Sequence, residues 1–175
     1  MQPSRGDDNS ALTSLYLEQV DAVYRYFYHH VHHVHDAEDL TATTFSKAVS
    51  SFGQYSADRG TFAAWLFGIA RRALADHLRQ RHAPVLPTRD MSAAHQDPER
   101  VVADAERATL VRERLQQLPM DQRDAVIMRF FGALSVRETA AAMGKSEAAV
   151  KMLVHRALCT LRTWYETEER VEQRA

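Results

Sequence analysis

The sequence predicts an all-α protein of two small helical domains joined by a linker, the C-terminal one a helix-turn-helix, and three observations carry that expectation. Glycine and proline are scarce, 6 and 5 in 175 residues. Proline is absent from long stretches in which apolar residues recur at three- and four-residue steps, the period of a helix face. A polar segment bracketed by Pro84, Pro87 and Pro98 has no periodicity and divides the chain, and residues 84–96 reach ~40 Å if extended at roughly 3.3 Å per residue.

The first helix is expected from about Ala11 to Val34, with Leu12, Leu15, Tyr16, Val20, Val23, Tyr24, Phe27 and Val31 on its apolar side. Asp36 reads as the N-cap of a second helix running to about Ser51, with Glu38 and Asp39 complementing the dipole and Leu40, Phe45 and Val49 facing inward. Phe52 to Gly60 reads as a loop. The third helix, Thr61 to about His82, takes Thr61 as its cap. It carries a buried stripe of Phe62, Trp65, Leu66, Ile69, Ala70, Ala73, Leu74 and Leu78, whereas Phe67 falls off that stripe and is expected to be exposed.

Beyond the linker a lead-in helix (about Pro98 to Gln117) stops at Leu118-Pro119, and Asp121 to Phe131 forms the next helix, closed by Gly132-Ala133. Ser135-Val-Arg-Glu138 spells a capping box, Gly144 sits where a left-handed C′ residue ends a helix, and Ser146 caps a last helix to about Glu166. That last helix turns Val150, Leu153, Val154, Ala157, Leu158 and Leu161 inward and Lys151, His155, Arg156 and Arg162 outward. An apolar back that fixes the angle and a polar front that reaches bases and phosphates are what a helix entering the major groove needs.

Hydrophobic residues at 45% and charged residues at 26% fit a soluble globular chain. The single cysteine, Cys159, excludes an internal disulfide and suits a reducing interior. Met1 to Ser10 lacks the apolar core of a signal peptide, and no run approaches the roughly 18 apolar residues of a span, so the expectation is a cytoplasmic protein without membrane insertion. A net charge of −1 says nothing about nucleic acid. The distribution does: Arg71, Arg72, Arg79 and Arg81 are set against Asp76 alone in residues 62–83, and Lys145, Lys151, Arg156 and Arg162 against Glu147 in residues 145–162.

Two motif sets occur in register. Asp36-Ala-Glu-Asp-Leu40, Thr44-Phe-Ser-Lys-Ala48, Phe62-Ala-Ala-Trp-Leu-Phe-Gly-Ile-Ala70 and Ala75-Asp-His-Leu-Arg79 fill the first half. Leu118-Pro119, Gln122-Arg123, Arg129, the Ser135–Gly144 helix, Val150-Lys151 and His155-Arg156-Ala157 fill the second. Together they resemble the extracytoplasmic-function sigma factors of the sigma-70 family. The resemblance implies a region 2-like domain over residues 1–83, a linker over 84–113 and a region 4-like domain over 114–175. It implies a factor that catalyses nothing and needs no cofactor, metal or small-molecule substrate. Its partners would be core RNA polymerase, promoter DNA and an anti-sigma protein.

Carried over residue by residue, the resemblance implies that Asp36, Asp39, Leu40 and Thr43 dock on the polymerase clamp. Lys47, Phe52, Arg71, Arg72 and Arg79 would serve the minus-ten element, where a base leaves the stack for a pocket and arginines hold phosphates. Ser146, Lys151, His155 and Arg156 would contact the minus-thirty-five element. The chain departs from the common pattern at Ala42-Thr43, where relatives often have Gln-Glu, at Arg72, often Asn, and at Met152-Leu153, often Ser-Arg. The last departure implies an unusual minus-thirty-five preference.

Two other features have competing readings. His29, His30, His32, His33 and His35 include i, i+4 pairs that can hold zinc, against a solvated helix end. Cys159 can be a redox sensor or an inert small residue. A stand-alone helix-turn-helix regulator is the alternative to the sigma reading. A metal-dependent helical enzyme would need a Glu-x-x-His spelling that the sequence lacks.

Overall fold

A computed structural model describes residues 5–81 and 110–172, with side chains over 14–80 and 110–166. The first domain comprises α1 (Arg5–Val31), α2 (Val34–Ser51), two short 3-10 turns (Phe52–Gln54 and Ala57–Arg59) and α3 (Phe62–Arg81). The second comprises α4 (the helical residues 110–117), α5 (Met120–Phe130), α6 (Val136–Met143) and α7 (Glu147–Glu172). Among the described residues there is no strand, and no helix is long and apolar enough to cross a membrane. Most of the expected 84–113 linker lies outside the described residues; its last four residues are helical.

α1 ends where His32 takes a left-handed φ of 52° and its N–H bonds the Tyr28 carbonyl. The reversal is tighter than the sequence suggested. α2 therefore starts at Val34, and the cap is His33, whose Nδ1 accepts from the Asp36 N–H at 3.3 Å, rather than Asp36 itself. Asp36 moves into the first turn, where its charge still meets the positive end of the helix.

The buried stripe of α2 is Ala37, Leu40, Thr41, Thr44, Phe45 and Ala48. Val49, expected inside, is 59% exposed. On the inner face Thr41 satisfies its hydroxyl locally by donating to the Ala37 carbonyl at 2.7 Å. On α1, Tyr26 is fully buried although periodicity did not select it, and Tyr16, which periodicity did select, is 41% exposed.

Thr61 caps α3 as expected, accepting from the Ala64 N–H. The helix is buried on two sides rather than one. Phe62, Leu66, Ile69 and Leu74 all belong to the buried core. Phe67, expected to be exposed, is fully buried, edge-on to Tyr26 at 5.6 Å and against Gly132 of the second domain. A second helical layer covers the side that a three-helix domain alone would leave to solvent.

In the second domain Ala125, Val126, Ile127 and Met128 of α5 are buried, and Ala133 at φ 55° turns the chain toward α6. The capping box forms in full: Glu138 N–H donates to Ser135 Oγ, and Ser135 N–H donates to the Glu138 carboxylate at 2.8 Å. Gly144 takes φ 63°, and Ser146 caps α7 by accepting from the Ala149 N–H. Val150 and Ala157 are buried, with Leu153, Val154 and Leu161 packed beside them; Leu158, expected inward, is 44% exposed because it lies to one side of the buried line through Val150, Val154, Ala157 and Leu161.

A Cβ at Gly132 would lie 2.9 Å from the Met128 carbonyl and 3.0 Å from the Phe67 ring, and the carbonyl belongs to a helix that cannot yield. Gly132→Ala is expected to cost about 1–3 kcal/mol by overpacking, read from the urea unfolding midpoint.

Candidate functional site

The polar surface is organised in four places. On α2, Asp36, Asp39, Leu40, Thr43 and Lys47 line one wall of a groove of about 310 Å³, and Ala73, Asp76, His77 and Gln80 of α3 line the other. Leu40 is at its floor, 7% exposed, while Asp39 and Thr43 stand in solvent. Every residue expected to meet the polymerase clamp is thus on one surface, with Lys47 at its edge.

The 52–60 segment packs on α3 through aromatic rings. Phe52, Tyr55, Phe62 and Trp65 form a cluster with centroids 5.4 to 6.4 Å apart, and only Phe62 is buried outright. Phe52 was expected here from its position. Tyr55 and Trp65 were not selected, although the density of aromatics flanking a short loop was a usable signal. Half-exposed rings beside a loop offer stacking faces for an unpaired base.

The helix-turn-helix presents Lys151, His155 and Arg156 in solvent on α7, joined by Met152 and Cys159. His155 Nε2 lies 3.6 Å from the Cys159 sulfur. Arg162 is held by Glu166 at 2.7 Å, so the outward cations nearest the turn are Lys151 and Arg156. Ser146 is spent on its capping bond, with its surface exposed.

The arginines of α3 differ from one another. Arg72 is exposed, and Arg79 is exposed and paired with Asp76. Arg71 points the other way, into the second domain: its Nε donates to Asp124 Oδ2 at 2.7 Å and its Nη2 to Asp121 Oδ1 at 2.9 Å. Asp124 has no exposed surface. Its Oδ1 accepts from the Tyr26 hydroxyl at 3.0 Å and lies 3.0 Å from His30 Nε2. The other His30 nitrogen is 2.8 Å from the Tyr26 carbonyl.

Burial alone would raise the Asp124 pKa; the bonds and charges of His30 and Arg71 outweigh it and hold the carboxyl below the ordinary carboxylate range. Burial, reinforced by the Asp124 charge, pushes the Tyr26 phenol well above its usual value, so it stays a donor. Asp121 also takes Lys145, with Nζ 3.0 Å from Oδ2. Thr61 adds a hydrogen bond to Glu138 Oε1 at 2.8 Å. His29 completes the joint by lying against the Phe131 ring, centroids 3.8 Å apart. Among the described residues no three His, Cys, Asp or Glu side chains gather as a metal site, and the histidine-rich end of α1 serves this joint and the α1–α2 turn.

Residues 15–83 match the family model for sigma-70 region 2 and residues 108–161 the model for sigma-70 region 4. The chain belongs to the extracytoplasmic-function sigma factors of the sigma-70 family. It is 34% identical over 165 residues to the ECF RNA polymerase sigma factor BldN of Streptomyces coelicolor, covering 92% of this chain and 62% of BldN. It is 31% identical over 167 residues to the RNA polymerase sigma factor CarQ of Myxococcus xanthus, covering 93% of each. The fold is similar to that of the sigma factor RpoE, solved in complex with the anti-sigma factor NepR from Bartonella quintana: TM-score 0.69, 21% identity, 88% of this chain and 96% of that one.

Proposed function

We propose that the chain binds core RNA polymerase and directs promoter-specific transcription initiation, a non-catalytic role carried out beside the polymerase in the cytoplasm. The chain spans 62% of the length of BldN. The observation that carries the reading is the division of nucleic-acid chemistry between two domains. One offers half-exposed aromatics beside a loop, the other a helix with an apolar back and an exposed Lys151–His155–Arg156 front. Stacking suits an unpaired base and a cationic helix suits duplex, which is what initiation requires of one molecule.

In this reading the α2 groove, through Asp36, Asp39, Leu40 and Thr43, meets the polymerase. Lys47, Phe52, Arg72 and Arg79 serve the minus-ten element, with Arg71 joining them when it is released. Ser146, Lys151, His155 and Arg156 serve the minus-thirty-five element. Residues 1–83 and 114–175 act as the two modules. An anti-sigma protein is the expected inhibitor, by analogy with the RpoE–NepR pair.

Transcription by core polymerase on a promoter-fragment library, with and without the protein, tests the reading. Starts that depend on the protein support it; a protein that ignores core but shifts duplex DNA by itself is a stand-alone regulator. Once a promoter is in hand, Lys151→Ala and Arg156→Ala should each weaken its use by about 1–3 kcal/mol, roughly five- to 150-fold, if they read bases. A residue that touches only phosphate should instead weaken all promoters alike and flatten the salt dependence.

A further inference from the structure

We propose that Asp124 is an intramolecular latch that holds the chain closed and inactive, binding Tyr26, His30 and Arg71 of the first domain, and that it must release them before both promoter elements can be read. The inference rests on the sigma reading above and adds a regulation to it.

Three observations converge. The first is the placement of a wholly buried carboxylate at a joint between domains, with donors from two helices of the opposite domain converging on it. Such a group fixes one register between its partners, because any other arrangement leaves a buried charge unpaired. The second is what it takes away: Arg71, on the helix proposed to hold promoter phosphates, has its guanidinium committed to Asp124 and Asp121.

The third is distance. Asp121 joins Arg71 to Lys145, the residue before the cap of α7, so one carboxylate pins the proposed minus-ten helix to the start of the recognition helix. The two promoter elements are centred about 25 base pairs apart, or ~85 Å at 3.4 Å per base pair. A chain in this arrangement can serve one element, not both. Opening returns Asp121, Asp124, Arg71 and Lys145 to water and exposes Phe67, so the closed state is held by apolar burial as well as by charge.

The test uses the full chain with two spin labels, one on the exposed native Cys159 and one on Glu18→Cys, also exposed. Asp124→Asn turns an acceptor into an NH₂ facing the Arg71 guanidinium. Tyr26→Phe combined with His30→Gln loosens the same latch from the other side without touching Asp124 or a residue assigned to DNA. Helicity by circular dichroism shows that each variant is folded, and either one alone decides the matter if the other is not.

The wild type should give one short, narrow distance distribution and the variants a longer, broader one. Retention on core polymerase, and on a fork fragment from the promoter selected above, should rise about tenfold, the inverse of a closed state that leaves roughly a tenth of the molecules competent. An unchanged distribution in folded variants overturns the latch. Opened variants that gain nothing on core or promoter, while the wild type initiates, overturn its inhibitory role. If neither wild type nor variants bind core, the sigma reading fails and takes the inhibitory role with it, while the distances still report whether Asp124 joins the domains.

Discussion

Phe67→Ala should be among the most damaging single substitutions in the molecule, lowering the unfolding free energy by about 3–5 kcal/mol. The ring has no exposed surface. It meets Tyr26 edge-on at 5.6 Å from one side and approaches Gly132 from the other. Its removal opens a cavity bounded by both domains, and Gly132 has no side chain with which to fill it. At this chain length the loss corresponds to roughly 10 °C or more in Tm. Urea unfolding followed by circular dichroism reads it directly. A loss below about 1 kcal/mol would mean that the ring is solvated and that the second layer over α3 is loosely packed.

The elements and their ends were legible in the second domain because their determinants are local. Ser135, Glu138, Gly144 and Ser146 each satisfy a backbone group within a few residues, so spelling and geometry coincide. The apolar stripe of α7 was legible for the same reason, apart from Leu158, which lies beside the buried line through Val150, Val154, Ala157 and Leu161. Tyr26, Phe67 and Asp124 were not legible. The partner of Tyr26 is 98 residues away and that of Arg71 53 residues away, and no local rule distinguishes Asp124 from any solvent-facing aspartate in a helix.

The candidate site divides along the same line. Periodicity identified the outward face of α7, and motif order identified the α2 surface, because both are properties of one helix. The aromatic cluster needed the 52–60 segment folded onto α3 before Tyr55 and Trp65 joined Phe52. That Arg71, unlike Arg72 and Arg79, turns from solvent into the other domain is decided by a carboxylate there. Tyr26, Phe67, Arg71 and Asp124 escape sequence reading because their contacts cross the joint, and the contacts of Asp124 are the ones that make the latch.

Acid should loosen the same joint before it protonates the latch. His29 and His32 are held neutral, with pKa values lowered from 6.5 to about 4, first by burial and then by neighbouring cations. Around His29 these are His32, Arg112, His30 and Arg25, with the Phe131 ring against its face; around His32 they are Arg112, His30 and Arg123. Neither nitrogen of His32 has a hydrogen-bond partner among the described residues. Between pH 6.5 and about 4 the unfolded chain binds protons at these two positions and the folded chain does not, so stability is complete above 6.5 and falls as the pH drops through that window. Discounted for the solvent both rings still see, the loss is ~1–2 kcal/mol per ring. Asp124, with its pKa held low, adds its own loss only below the ordinary carboxylate range, because its stabilisation is present above the unfolded value and disappears as the folded carboxylate is protonated. Urea midpoints at pH 7.5, 6, 5 and 4.5 should therefore decline across the histidine window, and His29→Asn with His32→Asn should flatten that decline. A wild-type midpoint that stays level down to pH 5 would mean that the two rings are hydrated, and that the second domain covers the end of α1 less tightly than the His29–Phe131 contact requires.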